Sequence, residues 1–186
     1  MHRFGREFEA CRERNARALS AFTSPPAVEN EALAARCVRE GNATKLFTIG
    51  YERRALADLI ARLRGAGVQV LADVRQRAMS RRPEFRGARL RDACTDAGIS
   101  YEQWPELGST PEQRADLKET GDIQAFRRRF ERYARRSLTP ALDRLAAHAE
   151  QSCVALLCYE TAHEDCHRGI LADLIAQRVG ATILAL

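Results

Sequence analysis

The stretch Cys153-Val-Ala-Leu-Leu-Cys158 is the most apolar strand-like segment of the chain. A strand whose successive side chains are all apolar is buried on both faces, which is typical of the interior of a parallel sheet. We therefore expect this segment to be the central strand of the fold, and the other elements are assigned outward from it.

Short β-type runs alternate with amphipathic helices on both sides of this segment. The predicted strands are Leu46–Gly50, Val68–Val74 and Ile99–Gln103 before it and Ala181–Leu186 after it. Apolar residues recur at helical spacing between them, as in the run that begins at Leu56. This alternation predicts repeated βα units. The expected fold is a Rossmann-like, three-layer α/β sandwich with a mostly parallel sheet of about five strands.

The first 44 residues have a different character from the rest. A charged helical stretch is interrupted at Ser24-Pro25-Pro26, and a second helix-like run follows from Glu29 to Arg39. We therefore expect residues 1–44 to form an N-terminal helical extension and residues 45–186 to form the α/β domain.

Composition excludes several classes of protein. The 186 residues carry a mild net charge of +5, and 45% of them are hydrophobic, so a packed core is expected. No apolar run approaches the ~20 residues that cross a bilayer, and the N-terminus has no hydrophobic signal core. We expect a cytoplasmic protein with reduced cysteines and no membrane partner. No feature of the sequence indicates an oligomeric state.

Candidate site residues follow the ends of three predicted strands. Tyr51 follows the first strand, Asp73 and Arg75 end the second, and Cys158 and Glu160 end the fourth. In open parallel sheets, ligands bind in the crevice outside the carboxyl ends of the strands. These side chains are therefore expected to lie around one crevice.

The loop after the fourth strand leads into Cys166-His167-Arg168 at the start of a predicted helix. Free N–H groups and the helix dipole favour negative charge there, and neighbouring cations lower a cysteine pKa. Cys166 or Cys158 is a candidate nucleophile, and Glu160 is a candidate general base or partner for an arginine. The alternative is that both cysteines only pack as small apolar residues.

Ligand types for zinc are present in Cys158, Cys166, His167 and His163, but closely paired Cys-x₂₋₄-Cys ligands are not. The sequence therefore predicts no metal. Neither a Gly-x-Gly-x-x-Gly fingerprint nor a P-loop occurs, so no cofactor is predicted.

The loop after the second strand is rich in arginine. Arg75, Arg81 and Arg82 lie near the expected crevice, and arginine forks suit phosphate groups. Asp73 is a second candidate general base. Another arginine cluster, Arg127–Arg136, is better explained as the solvated face of a helix. The predicted partner is a phosphate-bearing small molecule or a nucleic acid.

Several motifs occur in a fixed order along the chain. They are Thr48-Ile49-Gly50-Tyr51, Asp73-Val74-Arg75 with Ser80-Arg81-Arg82 and Phe85, Tyr101 with Leu107-Gly108, and Cys158-Tyr159-Glu160 with Cys166-His167-Arg168 and Leu171-Ala172. Together they resemble the DUF488 family over about residues 46–186. The resemblance implies a Rossmann-like fold and a link with DNA repair or modification, but no defined reaction.

Two hypotheses of function follow. The first is an enzyme that acts on a nucleotide or nucleic acid. Its predicted catalytic residues are Asp73, Cys158, Glu160, Cys166 and His167, and its predicted substrate-binding residues are Tyr51, Arg75, Arg81, Arg82 and Arg168. The second is a non-catalytic nucleic-acid-binding adaptor whose arginine clusters contact backbone phosphates.

Overall fold

The computed structural model describes residues 44–186, so the expected N-terminal helical extension lies almost wholly outside the described residues. In chain order the elements are β1 (Lys45–Gly50), α1 (Leu56–Gly65), β2 (Val70–Asp73), α2 (Gly87–Asp96), β3 (Ser100–Gln103), α3 (Pro111–Thr120), α4 (Ile123–Ser137), α5 (Thr139–Gln151), β4 (Val154–Cys158), α6 (His167–Val179) and β5 (Thr182–Ala185). None of these helices is long and apolar enough to span a membrane.

The five strands form one parallel sheet in the order β3-β2-β4-β1-β5. Strand β4 is central, as its apolar sequence predicts, and the predicted Rossmann-like sandwich is confirmed. Side chains alternate across this strand. Leu156 packs against α4, α5 and α6, whereas Ala155 and Leu157 pack on the side of α1 and α2. Burial on both faces explains why no polar residue interrupts the strand.

The sequence of residues 104–121 is loop-like, but Thr110, Pro111 and Gln113 in it predict a helix start of the capping-box type. Helix α3 occupies ten residues of this stretch. The predicted capping box is present: the Gln113 N–H donates to Thr110 Oγ1 (3.3 Å), and the Thr110 N–H donates to Gln113 Oε1 (2.9 Å). No residue of α3 is fully buried. Since apolar periodicity is the main sign of a helix in sequence, this polar helix gives only a weak signal.

The direction of the chain reverses within the sheet. From β1 through β2 to β3 the chain moves toward one edge, with α1 and α2 on one face. From β3 through β4 to β5 it returns, with α4, α5 and α6 on the other face, as right-handed crossovers require. The loop after β4 therefore leaves toward the face opposite to the loops after β1 and β2. Such a switch point opens a crevice at the carboxyl ends of the strands.

Replacing Leu156 by alanine should destabilise the protein by about 2–5 kcal/mol, because a fully buried leucine leaves a cavity that the central strand cannot close. The free energy of unfolding from urea titration measures this loss. Leu184→Ala is the matched control, since Leu184 lies on the edge strand β5 and is 37% exposed. Equal losses for the two variants would contradict the central position of β4.

Candidate functional site

A cleft of about 290 Å³ opens at the carboxyl ends of the strands, where the chain reverses. Six of the residues that the sequence singles out line it: Tyr51, Arg75, Cys158, Glu160, Cys166 and His167. They come from the loops after β1, β2 and β4 and from the start of α6. The topology of the sheet, rather than proximity in sequence, brings these side chains together.

The loop after β4 is held in place from two sides. Gly50 ends β1, and a Cβ atom there would overlap the carbonyl oxygen of Glu160, so only glycine allows this close approach. Arg168 is buried and donates to the carbonyl oxygens of Glu160 (2.5 Å) and Thr161 (2.9 Å). Arg168 therefore shapes the backbone of the loop behind the cleft and is not part of the cleft lining.

Asp73 and Arg75 form a buried, bidentate ion pair at the end of β2. Arg75 donates to Asp73 Oδ1 from Nε (2.8 Å) and to Oδ2 from a terminal nitrogen (2.5 Å). The Tyr101 hydroxyl donates to the same Oδ2 (2.6 Å). The other terminal nitrogen of Arg75 donates to the Tyr51 hydroxyl and to the carbonyl oxygen of Phe85, each at 3.0 Å.

The electrostatics of this pair favour the charged form of Arg75. Burial opposes the charge of Arg75, but the hydrogen bonds and the charge of Asp73 outweigh it and raise the pKa of Arg75. Burial and the same carboxylate raise the pKa of Tyr101, so this phenol stays a hydrogen-bond donor. Both oxygens of Asp73 are occupied, and Asp73 is not among the residues that line the cleft. Its direct effect is to position Arg75.

Two thiols and an imidazole meet at the other wall of the cleft. Cys166 caps α6, and its sulfur accepts the Arg168 N–H (3.5 Å). His167 Nδ1 lies 3.7 Å from Cys166 Sγ and 3.8 Å from Cys158 Sγ. His167 Nε2 lies 3.0 Å from the carbonyl oxygen of Val74. Because a carbonyl only accepts, Nε2 carries the hydrogen and Nδ1 faces the two sulfurs.

The two thiols have opposite shifts in pKa. The hydrogen bond with Cys166 and burial raise the pKa of Cys158, which is therefore the protonated partner. Burial disfavours the Cys166 thiolate, but the hydrogen bond from Cys158 and the charges of His167 and Arg168 outweigh it and lower the pKa of Cys166. Burial lowers the pKa of His167, and the neighbouring Cys166 sulfur reverses this effect and raises it.

Glu160 completes the cluster. Burial, followed by the charge of Cys166, raises the pKa of its carboxyl. Glu160 Oε2 is buried and has no hydrogen-bond partner among the described residues. A carboxyl with a raised pKa at the wall of a cleft is suited to proton transfer.

The remaining predicted residues lie outside the cleft lining. Arg81 is exposed. Arg82 pairs with Glu84 (2.8 Å), donates to the carbonyl oxygen of Tyr51 (3.2 Å) and lies over the ring of Phe85 (4.4 Å). Arg82 therefore supports the aromatic wall of the site from behind.

Among the cleft residues that the sequence does not single out are Ser109 and Arg114. Arg114 donates to the carbonyl oxygen of Ser109 and to the Gln76 side chain (3.0 Å). A Cβ at Gly108 would overlap the Gln76 backbone, so glycine lets the loop after β3 approach the loop after β2. The capping box at Thr110 marks this turn in the sequence, but no local signal shows that it returns to the crevice.

One group of side chains in the described part of the chain has metal-ligand geometry. The ligand atoms of Cys158, Cys166 and His167 all lie within 4.8 Å of one another, and all three residues are buried. The sequence predicts no metal because it lacks closely paired cysteines. The fold brings these three side chains together, which their spacing in the sequence does not indicate.

A family model described as "Domain of unknown function DUF488" matches residues 55–175. The match covers α1 through most of α6 and includes every candidate residue except Tyr51. Comparison with curated proteins and with solved structures gives no match.

Replacing Asp73 by asparagine should destabilise the protein by about 3–5 kcal/mol, because the substitution leaves the buried guanidinium of Arg75 without its counter-charge. Urea unfolding followed by circular dichroism measures the change. Glu84→Gln is the matched control, since it removes one carboxylate from the half-exposed pair with Arg82 and should leave the midpoint near that of the wild type. If the Asp73→Asn variant has the same urea midpoint as the wild type, the Asp73–Arg75 ion pair does not stabilise this wall of the cleft.

Proposed function

We propose that this chain, which belongs to the DUF488 family, is an enzyme with Cys166 as its nucleophile. Its substrate carries a phosphate group and is either a nucleotide or the end of a nucleic acid. The observation that carries this proposal is the position of the Cys166 sulfur. It caps a long helix at the cleft wall, accepts the Arg168 N–H and contacts His167 Nδ1. Helix starts and neighbouring cations stabilise thiolates, and the thiolate is the nucleophilic form of cysteine.

The arginines that line the cleft favour an anionic substrate. Three arginines, Arg75, Arg77 and Arg114, are among the cleft-lining residues. The guanidinium fork of Arg75 is already bound to Asp73, so Arg77 and Arg114 are the arginines proposed to hold the anion. Arginine is the side chain best suited to the bidentate recognition of phosphate. A volume of about 290 Å³ is small for a ligand pocket and fits a single nucleotide or a chain end rather than a duplex.

The reaction divides into two steps. In the first, the Cys166 thiolate forms a bond to the electrophilic centre of the substrate, and the bond to the leaving group breaks. The Glu160 carboxyl gives its proton to the leaving atom. In the second, Glu160, now a carboxylate, takes a proton from a water molecule. The hydroxide that forms displaces the Cys166 sulfur and restores the thiolate.

The observed ion pairs of α4 give no support to the adaptor hypothesis. Arg135 pairs with Glu131 on the same helix (2.8 Å), and Arg129 pairs with Asp116 of α3. Arg127 contacts the carbonyl oxygen of Glu164 (2.5 Å). These contacts fit a solvated helix face on which part of the positive charge is matched within the domain.

In the folded protein, Cys166 should be alkylated by iodoacetamide well before Cys94. Cys166 lines the cleft, whereas Cys94 is fully buried between α2 and the sheet, where burial raises the pKa of its thiol to about 12. A short pulse of iodoacetamide at neutral pH, followed by peptide mapping, measures the order of labelling. If Cys166 reacts only when the protein unfolds, it is structural and the nucleophilic mechanism fails.

Phosphate should slow this alkylation, because an anion held by the cleft arginines lies in the path to Cys166. The measurement is the labelling rate of Cys166 with increasing inorganic phosphate or adenosine monophosphate at constant ionic strength. Arg77→Ala and Arg114→Ala should each weaken the protection. Arg128→Ala is the matched control, since Arg128 is exposed on α4 outside the cleft lining.

Equal protection of the wild type and both cleft variants would argue against an anion site in the cleft. Labelling that is insensitive to both ligands would argue against a phosphate-bearing substrate, while fast labelling of Cys166 would still support a reactive thiol.

A further inference from the structure

We infer that Cys158, Cys166 and His167 form a binding site for one zinc ion, and that zinc in this site blocks the proposed nucleophile. The inference begins from distances. A tetrahedral zinc ion with bonds of about 2.3 Å to sulfur and about 2.0–2.1 Å to nitrogen places those two ligand atoms roughly 3.6 Å apart. The Nδ1 atom of His167 lies 3.7 Å and 3.8 Å from the two sulfurs. The two sulfurs lie within 4.8 Å of each other, against roughly 3.8 Å in a zinc tetrahedron, so they need to approach by about 1 Å at most to hold one ion with the imidazole.

The orientation of the imidazole is the second observation. Zinc-bound histidines almost always donate their other ring N–H to a carbonyl or a carboxylate, which fixes the ring and its tautomer. His167 Nε2 already makes this contact with the carbonyl oxygen of Val74, at the end of β2. The nitrogen that is left for a metal is the one that faces both sulfurs.

The surroundings of the cluster suit a metal with one open position. Cys158, Cys166 and His167 are each at most 5% exposed, so an ion held by them is shielded from water on the protein side. Glu160 Oε2 is buried without a hydrogen-bond partner among the described residues, and Glu160 lines the same cleft as the three ligands. This oxygen is available as the fourth ligand, or a cleft ligand can take that position. Three protein ligands with an accessible fourth position are characteristic of non-structural zinc sites.

The chemistry of the ligands selects the cation. Two thiolates and an imidazole favour zinc over magnesium or calcium, which prefer oxygen ligands. Binding requires both sulfurs in the thiolate form, so any thiol protons are released to solvent as the metal enters. The ligands come from the end of β4 and the start of α6, which explains why they are not closely paired in sequence.

Zinc binding opposes nucleophilic attack, because a Cys166 thiolate that donates a lone pair to zinc is a weaker nucleophile than the free thiolate. The site itself does not depend on the proposed function, and only the statement that zinc blocks the nucleophile rests on it. Zinc that binds reversibly would protect the thiol until a competing chelator removes the metal.

The test uses the full chain, stripped of metal by a chelator and kept reduced. Zinc chloride is titrated in competition with a chromophoric zinc indicator. We expect one tightly bound equivalent in the wild type. Cys158→Ser and Cys166→Ser should each weaken zinc binding strongly. Loss of a residue that only contacts a zinc ligand costs roughly 10- to 100-fold in affinity, and loss of a ligand should cost more. Cys94→Ser, which removes a buried free thiol outside the cluster, should bind as the wild type does.

A second measurement does not depend on how well the variants fold. One equivalent of zinc should abolish the iodoacetamide labelling of Cys158 and Cys166 in the wild type, and added chelator should restore it. If the cysteines of the stripped protein label and zinc leaves that labelling unchanged, the zinc site is overturned, as it is by wild-type zinc affinity in both serine variants. If zinc fails to bind but Cys166 of the stripped protein still labels quickly, the proposed function survives. If zinc binds but stripped Cys166 is inert, the site stands and the nucleophile does not.

Discussion

Strand β4 lies between β1 and β2, although it follows both in the chain, and the candidate site depends on this insertion. Because the helix after β4 must pack on the face opposite to α1 and α2, the loop from Cys158 to Cys166 passes over the ends of both neighbouring strands. Two-sided burial of the apolar strand provides the driving force, so the same hydrophobic effect that forms the core also opens the cleft.

Buried charge is the second constraint. Asp73 is fully buried and Arg75 is only 8% exposed, and such a pair gives little net stability unless the remaining donors and acceptors are satisfied. Tyr51, Tyr101 and the Phe85 carbonyl supply those contacts. Arg168 is buried in the same way, but it is used on backbone carbonyl groups. The arginines around the site therefore divide into those that hold the loops, such as Arg168 and Arg82, and those that line the cleft, such as Arg77 and Arg114.

The sequence predicts the fold well because it depends on strong, local signals. The apolar run of β4, the alternation of strands and helices, and the capping box at Thr110 each fix an element without knowledge of its neighbours. The ends of the strands also predict which loops meet. The direction of each side chain depends on contacts distant in sequence, such as Gly50 with Glu160 and Gly108 with Gln76, and no local pattern contains them. This is why Arg114 is missed and why Arg168 is expected to face a ligand.

The geometry that activates a thiol is close to the geometry that binds zinc. A hydrogen bond between a thiolate and an imidazole needs nearly the same sulfur–nitrogen separation as the edge of a zinc tetrahedron, and the 3.7 Å between Cys166 and His167 is close to both. The Val74 carbonyl fixes the ring for either use. The activated thiol and the zinc site differ in what lies between sulfur and nitrogen, which is a proton in the first and a zinc ion in the second. A second thiol in Cys158 favours the cation, since an isolated nucleophile needs only one sulfur, whereas a site that retains zinc gains from each additional thiolate.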